Sequence, residues 1–394
     1  MANIRVCARF RPAILQDDGE VLHFARSDSR SFTLQDENDE HHTFSFDKVF
    51  YKDSEQADVY EFLASHLVRD VVKGINGTII TYGETGAGKT YTMEGANIME
   101  TENYKKGLLP RVVDELFEVI SLCGEATAYK IKLSMVEIYM ERVRDLLDLS
   151  KDNIQIEEHE EHGMLLCGST EILISDGEEA LKLLSSGIAN RAVGESKTNK
   201  ASSRSHCIYI FTVEKEVANE KRVSTGKLVL VDLTGSETTD ADGRALEEAK
   251  TIKKSLSALE NMIDALISGQ ENHISFRDSK ITRILQATLG GSFQTALLCC
   301  CSPGLCHFPK TLCTLLFGAR IKALSAFNEA MSSMKETTEK LVYTTAELLR
   351  ENQRLKQIMR EMYEEVMHVN KKMVVDCEEI LHLIKKHQET PGQI

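Results

Sequence analysis

Gly83-Glu84-Thr85-Gly86-Ala87-Gly88-Lys89-Thr90 is the stretch on which the fold turns. It follows the apolar run Thr78–Tyr82, which reads as a strand, and it precedes a helical pattern. Strand, glycine-rich turn, Lys-Thr and helix form the order that a phosphate-cradling loop requires. The glycines let backbone N–H groups converge on phosphate oxygens, and a helix start adds a favourable dipole. Lys89 supplies a point charge for β and γ phosphates, and the Thr90 hydroxyl suits magnesium.

Such a loop serves kinases, GTPases and motors alike, so a second motif has to discriminate. Leu228–Leu233 is apolar and carries Asp232 near its end, followed by Thr234-Gly235-Ser236-Glu237. An acid at a strand end beside a phosphate loop typically holds the water shell of magnesium. Gly235 beyond it can offer its N–H to a γ-phosphate. A third motif is Asn199-Lys200-Ala201-Ser202-Ser203-Arg204-Ser205-His206. Its adjacent hydroxyls can serve magnesium and an attacking water, and Arg204 can pair with Glu237 when both segments close. Alone, a loop of this composition is more often simply solvated. Beside the other two motifs the functional reading prevails.

Further strands are expected at Ile4–Phe10, Lys130–Val136, Cys207–Val213 and Ala296–Cys301. Several are continuously apolar, as strands buried on both faces are. Helical patterns lie between them, which predicts an α/β layered fold. With 394 residues, 42% of them hydrophobic, the chain can bury one large core plus an extension. No apolar run reaches the ~18 residues of a membrane span, and the start lacks a secretory pattern. The ten cysteines show no zinc spacing, and consecutive Cys299, Cys300 and Cys301 read as buried reduced thiols. A cytoplasmic location is expected. The net charge of −14 argues against nucleic acid as a partner.

From about residue 327 the character changes. Leu341, Leu348, Leu355, Met362 and Val369 recur every seventh residue. Met359, Val366, Met373 and Ile380 recur four positions later. These are the d and a positions of a heptad. Asn352 falls at an a position, where a buried amide favours a parallel dimer, and Glu351 at g can reach Lys356 of a partner helix. Thr345 and Asp376 weaken the seam. A single amphipathic helix packed on the rest of the chain is the other reading.

Together the three phosphate-site motifs resemble those of kinesins. So do Arg9-Phe10-Arg11-Pro12, Val136-Glu137-Ile138-Tyr139, Arg144-Asp145-Leu146-Leu147, Lys254-Ser255-Leu256-Ser257-Ala258-Leu259, Arg277-Asp278-Ser279-Lys280 and Leu315-Leu316-Phe317-Gly318. The resemblance spans roughly residues 3 to 322, and Asn76–Gly83 reads most like the plant branch of kinesin-1. It implies an α/β P-loop NTPase motor, with a central, mostly parallel sheet flanked by helices and a C-terminal coiled coil. The implied divisions are 1–322 motor, 323–335 neck-linker-like segment, 336–385 coiled coil and 386–394 disordered tail. The implied activity is ATP hydrolysis driving movement along microtubules, plus-end-directed, by a homodimer. Arg9, Arg11, Pro12 and Tyr91 would surround the adenine. Gly83, Glu84, Thr85, Gly86, Ala87, Gly88, Lys89 and Thr90 would hold the phosphates. Thr90, Ser203 and Asp232 would serve Mg2+. Ser202, Ser203, Arg204, Gly235 and Glu237 would carry catalysis. Lys250, Lys254, Arg277, Lys280 and Arg283 would form a basic microtubule-binding patch within an acidic chain.

Several residues depart from the family pattern. Lys253 stands where the family has an asparagine between nucleotide site and track, and an ammonium can donate but not accept. An altered switch network is expected there. Asp240 and Asp242 lie in a short loop expected to repel acidic tubulin. Glu84 replaces a usual amide and is expected to weaken nucleotide affinity unless it points to solvent. Glu260 replaces a usual glycine. Ala326 replaces the asparagine near the start of the linker, so weak linker docking is expected. These departures support an alternative: a nucleotide-dependent microtubule-binding or dimerising regulator with little track-stimulated turnover.

Overall fold

The computed structural model describes residues 4–14, 17, 22–35, 39–123, 127–159, 163–193, 204–217, 223–236, 244–268, 275–290 and 293–388. Ser202, Ser203, Glu237, Asp240 and Asp242 lie outside them, as do residues 389–394 of the expected tail. The chain divides into two compact units, Met1–Glu329 and Ala330–Ile394.

In chain order the elements begin with β1 (Ile4–Phe10), β2 (His23–Arg26), β3 (Ser31–Gln35), β4 (His41–Ser45) and β5 (Lys48–Phe50). Next come α1 (Gln56–Leu63), α2 (Ser65–Val72), β6 (Gly77–Tyr82), α3 (Lys89–Glu94) and α4 (Leu108–Ser121). Then follow β7 (Thr127–Tyr139), β8 (Arg142–Asp145), β9 (Gln155–His159), β10 (Gly163–Cys167), β11 (Ile172–Ile174) and α5 (Gly177–Val193). The last are β12 (His206–Val217), β13 (Val223–Asp232), α6 (Arg244–Ile267), α7 (Lys280–Gly290), β14 (Gln294–Cys301) and α8 (Phe308–Gln388).

Among the described residues nine strands form one sheet, ordered β11-β7-β12-β13-β6-β14-β1-β5 with β8 beside β7. Its central strands β13, β6, β14, β1 and β5 pair parallel. The flank of β12, β7, β8 and β11 is antiparallel. Parallel strands joined by helical crossovers need both faces covered, and β6 is buried at every position. Side chains alternate accordingly. Ile80, Val231 and Leu297 face α6, α7 and α8 through Leu259, Leu285 and Phe317. Ile79, Leu230 and Leu298 face the other way, with Leu67, Val113 and Leu184 of α2, α4 and α5. Each such burial contributes about 2 kcal/mol. The six strands expected from sequence are all present, five of them longer than expected. The small sheets β2–β4 and β9–β10 were not anticipated.

The turn between β7 and β8 is strained. Met140 and Glu141 both take positive φ, 50° and 58°, without being glycine. The Glu141 carboxylate accepts from the Ser279 hydroxyl and the Lys280 backbone N–H at 2.7 Å each, which caps α7.

α8 is unbroken from Phe308 to Gln388, so residues 323–335 are helical. The sequence explains this, since neither glycine nor proline occurs between Gly318 and Pro391. Phe317 stacks on Tyr82 with centroids 3.8 Å apart, and the Ser325 hydroxyl donates to the Ile4 carbonyl at 2.8 Å. In the second unit the heptad side chains are exposed, Leu348 at 67% and Met359 at 70%. No helix among the described residues is long and apolar enough to cross a membrane.

Candidate nucleotide site

The loop after β6 is open where a phosphate chain belongs. Gly86 and Gly88 have φ of 85° and 97°, and a Cβ built on either would meet nothing within 4 Å. Glycine is the residue that adopts this backbone without strain. Lys89 is buried beneath the loop, its Nζ donating to the Gly83 and Glu84 carbonyls at 2.8 Å each. Thr90 Oγ1 donates to Asp232 Oδ2 at 2.8 Å. The loop and the end of β13 therefore converge as the sequence requires. A hydroxyl and a carboxylate side by side are the hard oxygen donors that Mg2+ prefers, so the residues present fit the ion.

Asp232 is fully buried and accepts two further hydrogen bonds. One comes from Thr81 Oγ1 at 3.3 Å and one from Arg191 Nη1 at 3.2 Å. Arg191, on α5, also donates to the Ser205 carbonyl at 3.0 Å and lies 4.0 Å from Glu94. Burial raises the Glu94 carboxyl, against the Tyr209 hydroxyl and Arg191, which favour its charge. Sequence reading missed Arg191, because no motif surrounds it. The available signal was indirect: a buried strand-end carboxylate needs a counter-charge.

His206 ends the serine-rich motif, and the sequence assigns it no role. It is buried, and its Nδ1 accepts the Thr234 backbone N–H at 3.2 Å. Nε2 therefore carries the hydrogen and donates to Ser255 Oγ of α6 at 3.2 Å, and Ser255 Oγ donates to the Ile252 carbonyl. Burial, with Arg191 and Lys89 nearby, pushes the imidazolium down to about 3. Gly235 is buried beside the phosphate loop, and the Ser236 N–H donates to the Gly83 carbonyl at 3.1 Å. Arg204 donates to Glu248 of α6.

The expected adenine residues are assembled at the edge of this hollow. The Arg9 guanidinium lies over the Tyr91 ring, 5.9 Å from its centroid, and Tyr91 is 44% exposed. Gln56 fixes both, accepting from Arg9 at 2.6 Å and donating to the Tyr91 carbonyl at 2.7 Å. Arg11 donates to the Gly86 carbonyl at 2.8 Å and grips Asp17 with both terminal nitrogens. Pro12 is exposed beside it. Glu84 does not point to solvent: it is 2% exposed and faces His307 of the turn before α8.

The expected basic patch is spread over α6, the turn Phe276–Asp278 and α7, which pack on one another. Lys250, Lys254 and Arg277 are exposed, while Lys280 and Arg283 are half-buried. α6 buries Glu248, Ser255, Leu256, Leu259, Met262 and Ile263, a helical stripe that leaves Lys253 exposed.

The family model for the kinesin motor domain matches residues 9–324. The chain is 57% identical over 336 residues to the kinesin-like protein KIN-1 of Arabidopsis thaliana, covering 83% of this chain and 72% of that protein. The corresponding protein of Oryza sativa subsp. japonica is 52% identical over 346 residues, covering 86% and 72%. A solved structure of a fast kinesin superposes with a TM-score of 0.77 at 39% identity, covering 81% of this chain and 91% of that one. The chain belongs to the kinesin family, with the α/β fold and the phosphate loop of its microtubule motor ATPases.

Proposed function

We propose that ATP binds with its adenine against Arg9, Arg11, Pro12 and Tyr91 and its phosphates along Gly83–Thr90. The carrying observation is Thr90 bonded to buried Asp232 beside the open turn at Gly86 and Gly88. Thr90, Ser203 and Asp232 would hold Mg2+, which would supply neutralisation of phosphate charge. Ser202, Ser203 and Gly235 position the attacking water. Arg204 and Glu237 close the site, which requires Arg204 to leave Glu248. Catalysis is then positioning and charge stabilisation, as in phosphoryl transfer generally.

The microtubule contacts are Lys250, Lys254, Arg277, Lys280 and Arg283. Residues 1–322 act as the motor, 323–335 as the linker, 336–385 as a coiled coil that makes a homodimer, and 386–394 as a tail. An exposed apolar heptad stripe supports the dimer, because a second copy buries it. Work takes place in the cytoplasm on microtubules, toward the plus end.

A second reading is a regulator whose turnover is poorly stimulated by the track. It is favoured by one observation: Arg204 is engaged by α6. Steady-state ATPase with and without microtubules separates the two. Stimulation of about a hundredfold supports the motor, and stimulation below about tenfold supports the regulator. Loss of nucleotide binding in Lys89→Ala checks the site itself.

A further inference from the structure

The P-loop carries a carboxylate that the nucleotide chemistry does not use. Glu84 is 2% exposed, and its Oε1 has no hydrogen-bond partner among the described residues. Its Oε2 lies 3.0 Å from His307 Nδ1 and 3.7 Å from Lys310 Nζ of α8. The opposite ring nitrogen of His307 lies 3.6 Å from Asp17 Oδ1. Asp17 is gripped by Arg11, which also donates to the Gly86 carbonyl. The contacts therefore form a closed ring: Glu84, His307, Asp17, Arg11 and back to the loop at Gly86. Among the charged groups facing His307 are two carboxylates, with Arg11 behind one and Lys310 beside the other. The buried thiol of Cys301 on β14 is uncharged, since burial and then its neighbouring thiols and Glu84 push it well above its ordinary value.

A ring nitrogen facing a carboxylate is satisfied only when it bears hydrogen. His307 faces one carboxylate on each side, so only the imidazolium suits both. A neutral ring donates to one and presents a lone pair to the other. Discharge of the ring then leaves Glu84, already short of a partner at Oε1, with Lys310 as the cation still paired with it among the described residues. An undercompensated buried negative charge in the loop disfavours a polyphosphate next to it.

We propose that His307 is a positioning residue for the phosphate loop, that it acts as an imidazolium between Glu84 and Asp17, and that nucleotide affinity is thereby linked to one proton. This rests on the reading of the loop as the ATP site. Affinity is highest when both ring nitrogens of His307 bear hydrogen and falls when one is lost.

The test is equilibrium binding of a fluorescent ATP analogue with magnesium to the full chain between pH 6 and pH 8. The wild type is expected to weaken about fivefold to tenfold across that interval. His307→Asn is expected to bind weakly at both ends and Glu84→Gln tightly at both. His307→Lys, which keeps its charge, is expected to rescue tight binding at pH 8. Circular dichroism melts confirm that each variant is folded. Two results overturn the proposal: a wild-type profile as flat as that of Glu84→Gln, or a His307→Lys variant as weak as His307→Asn, which marks a role in packing alone. Absence of binding at any pH instead defeats the assignment of the loop.

Discussion

Arg204, at the end of the serine-rich loop, donates to Glu248 of α6, and the other oxygen of Glu248 accepts the Tyr139 hydroxyl at 2.5 Å. A residue expected to guard the γ-phosphate is thus attached to the helix whose outer face carries Lys250 and Lys254. Glu248→Ala removes the acceptor of both donors. A charge-assisted hydrogen bond contributes about 1.5–3 kcal/mol, so a loss of that order is expected in denaturant unfolding. Turnover is expected to change unequally, with the microtubule-stimulated rate falling about tenfold and the basal rate less than threefold. An equal fall in both rates would sink the coupling role.

Arg191 supports the site through charge. It is buried and donates to Asp232, which is itself fully buried. Arg191→Met leaves an uncompensated carboxylate and is expected to cost about 3–5 kcal/mol of stability. Adding Asp232→Asn removes that charge, so the double variant is expected to recover most of the loss while remaining inactive. Urea unfolding of the four proteins checks this. Additive losses in the double variant would show that the two residues do not act as a pair.

His206 sets a pH dependence of stability. Its pKa is depressed to about 3 from 6.5 by burial and by the positive charges of Arg191 and Lys89. The unfolded chain therefore binds a proton that the folded chain refuses. Stability from this group is fully present above the unfolded value and falls as pH drops toward the folded one, by about 1.4 kcal/mol per unit. Compared with His206→Gln, the wild type is expected to lose about 1 kcal/mol more between pH 7 and about 5.5. Parallel losses in the two proteins would mean that His206 is protonated in the fold.

The readable parts of this chain were those in which a few adjacent residues carry a geometric requirement. The glycines of residues 83–88 fix a turn, Lys89-Thr90 a charge and a ligand, and Leu228–Asp232 a buried strand with an acid at its end. The adenine residues were readable only through resemblance, since nothing in Arg9-Phe10-Arg11-Pro12 alone announces a ring platform. Arg191, Glu248 and His307 were not readable. Each acquires its role from a partner 41, 44 and 223 residues away, respectively. The helix face of Lys253 was not readable from residue type, and the buried stripe through Ser255, Leu256 and Leu259 leaves it exposed. The linker was read from its place after Gly318, whereas its composition is helical throughout.

The coiled coil can be tested independently of the motor. Leu348 and Leu355 are d residues, and both are exposed on a single chain, at 67% and 53%. In a parallel pair each would enter a hole formed by the partner helix, and burying a leucine contributes about 2 kcal/mol. Leu348→Glu with Leu355→Glu places like charges along the seam and is expected to give a monomer in sedimentation equilibrium at micromolar concentration. Both residues lie in the second unit, so basal ATPase per chain should be unchanged. Asn352→Val retains association but removes the buried amide, and is expected to yield trimers or mixed registers with a higher melting temperature. A wild-type chain that sediments as a monomer would defeat the dimer. A glutamate variant that remains dimeric would move the interface away from the heptad seam.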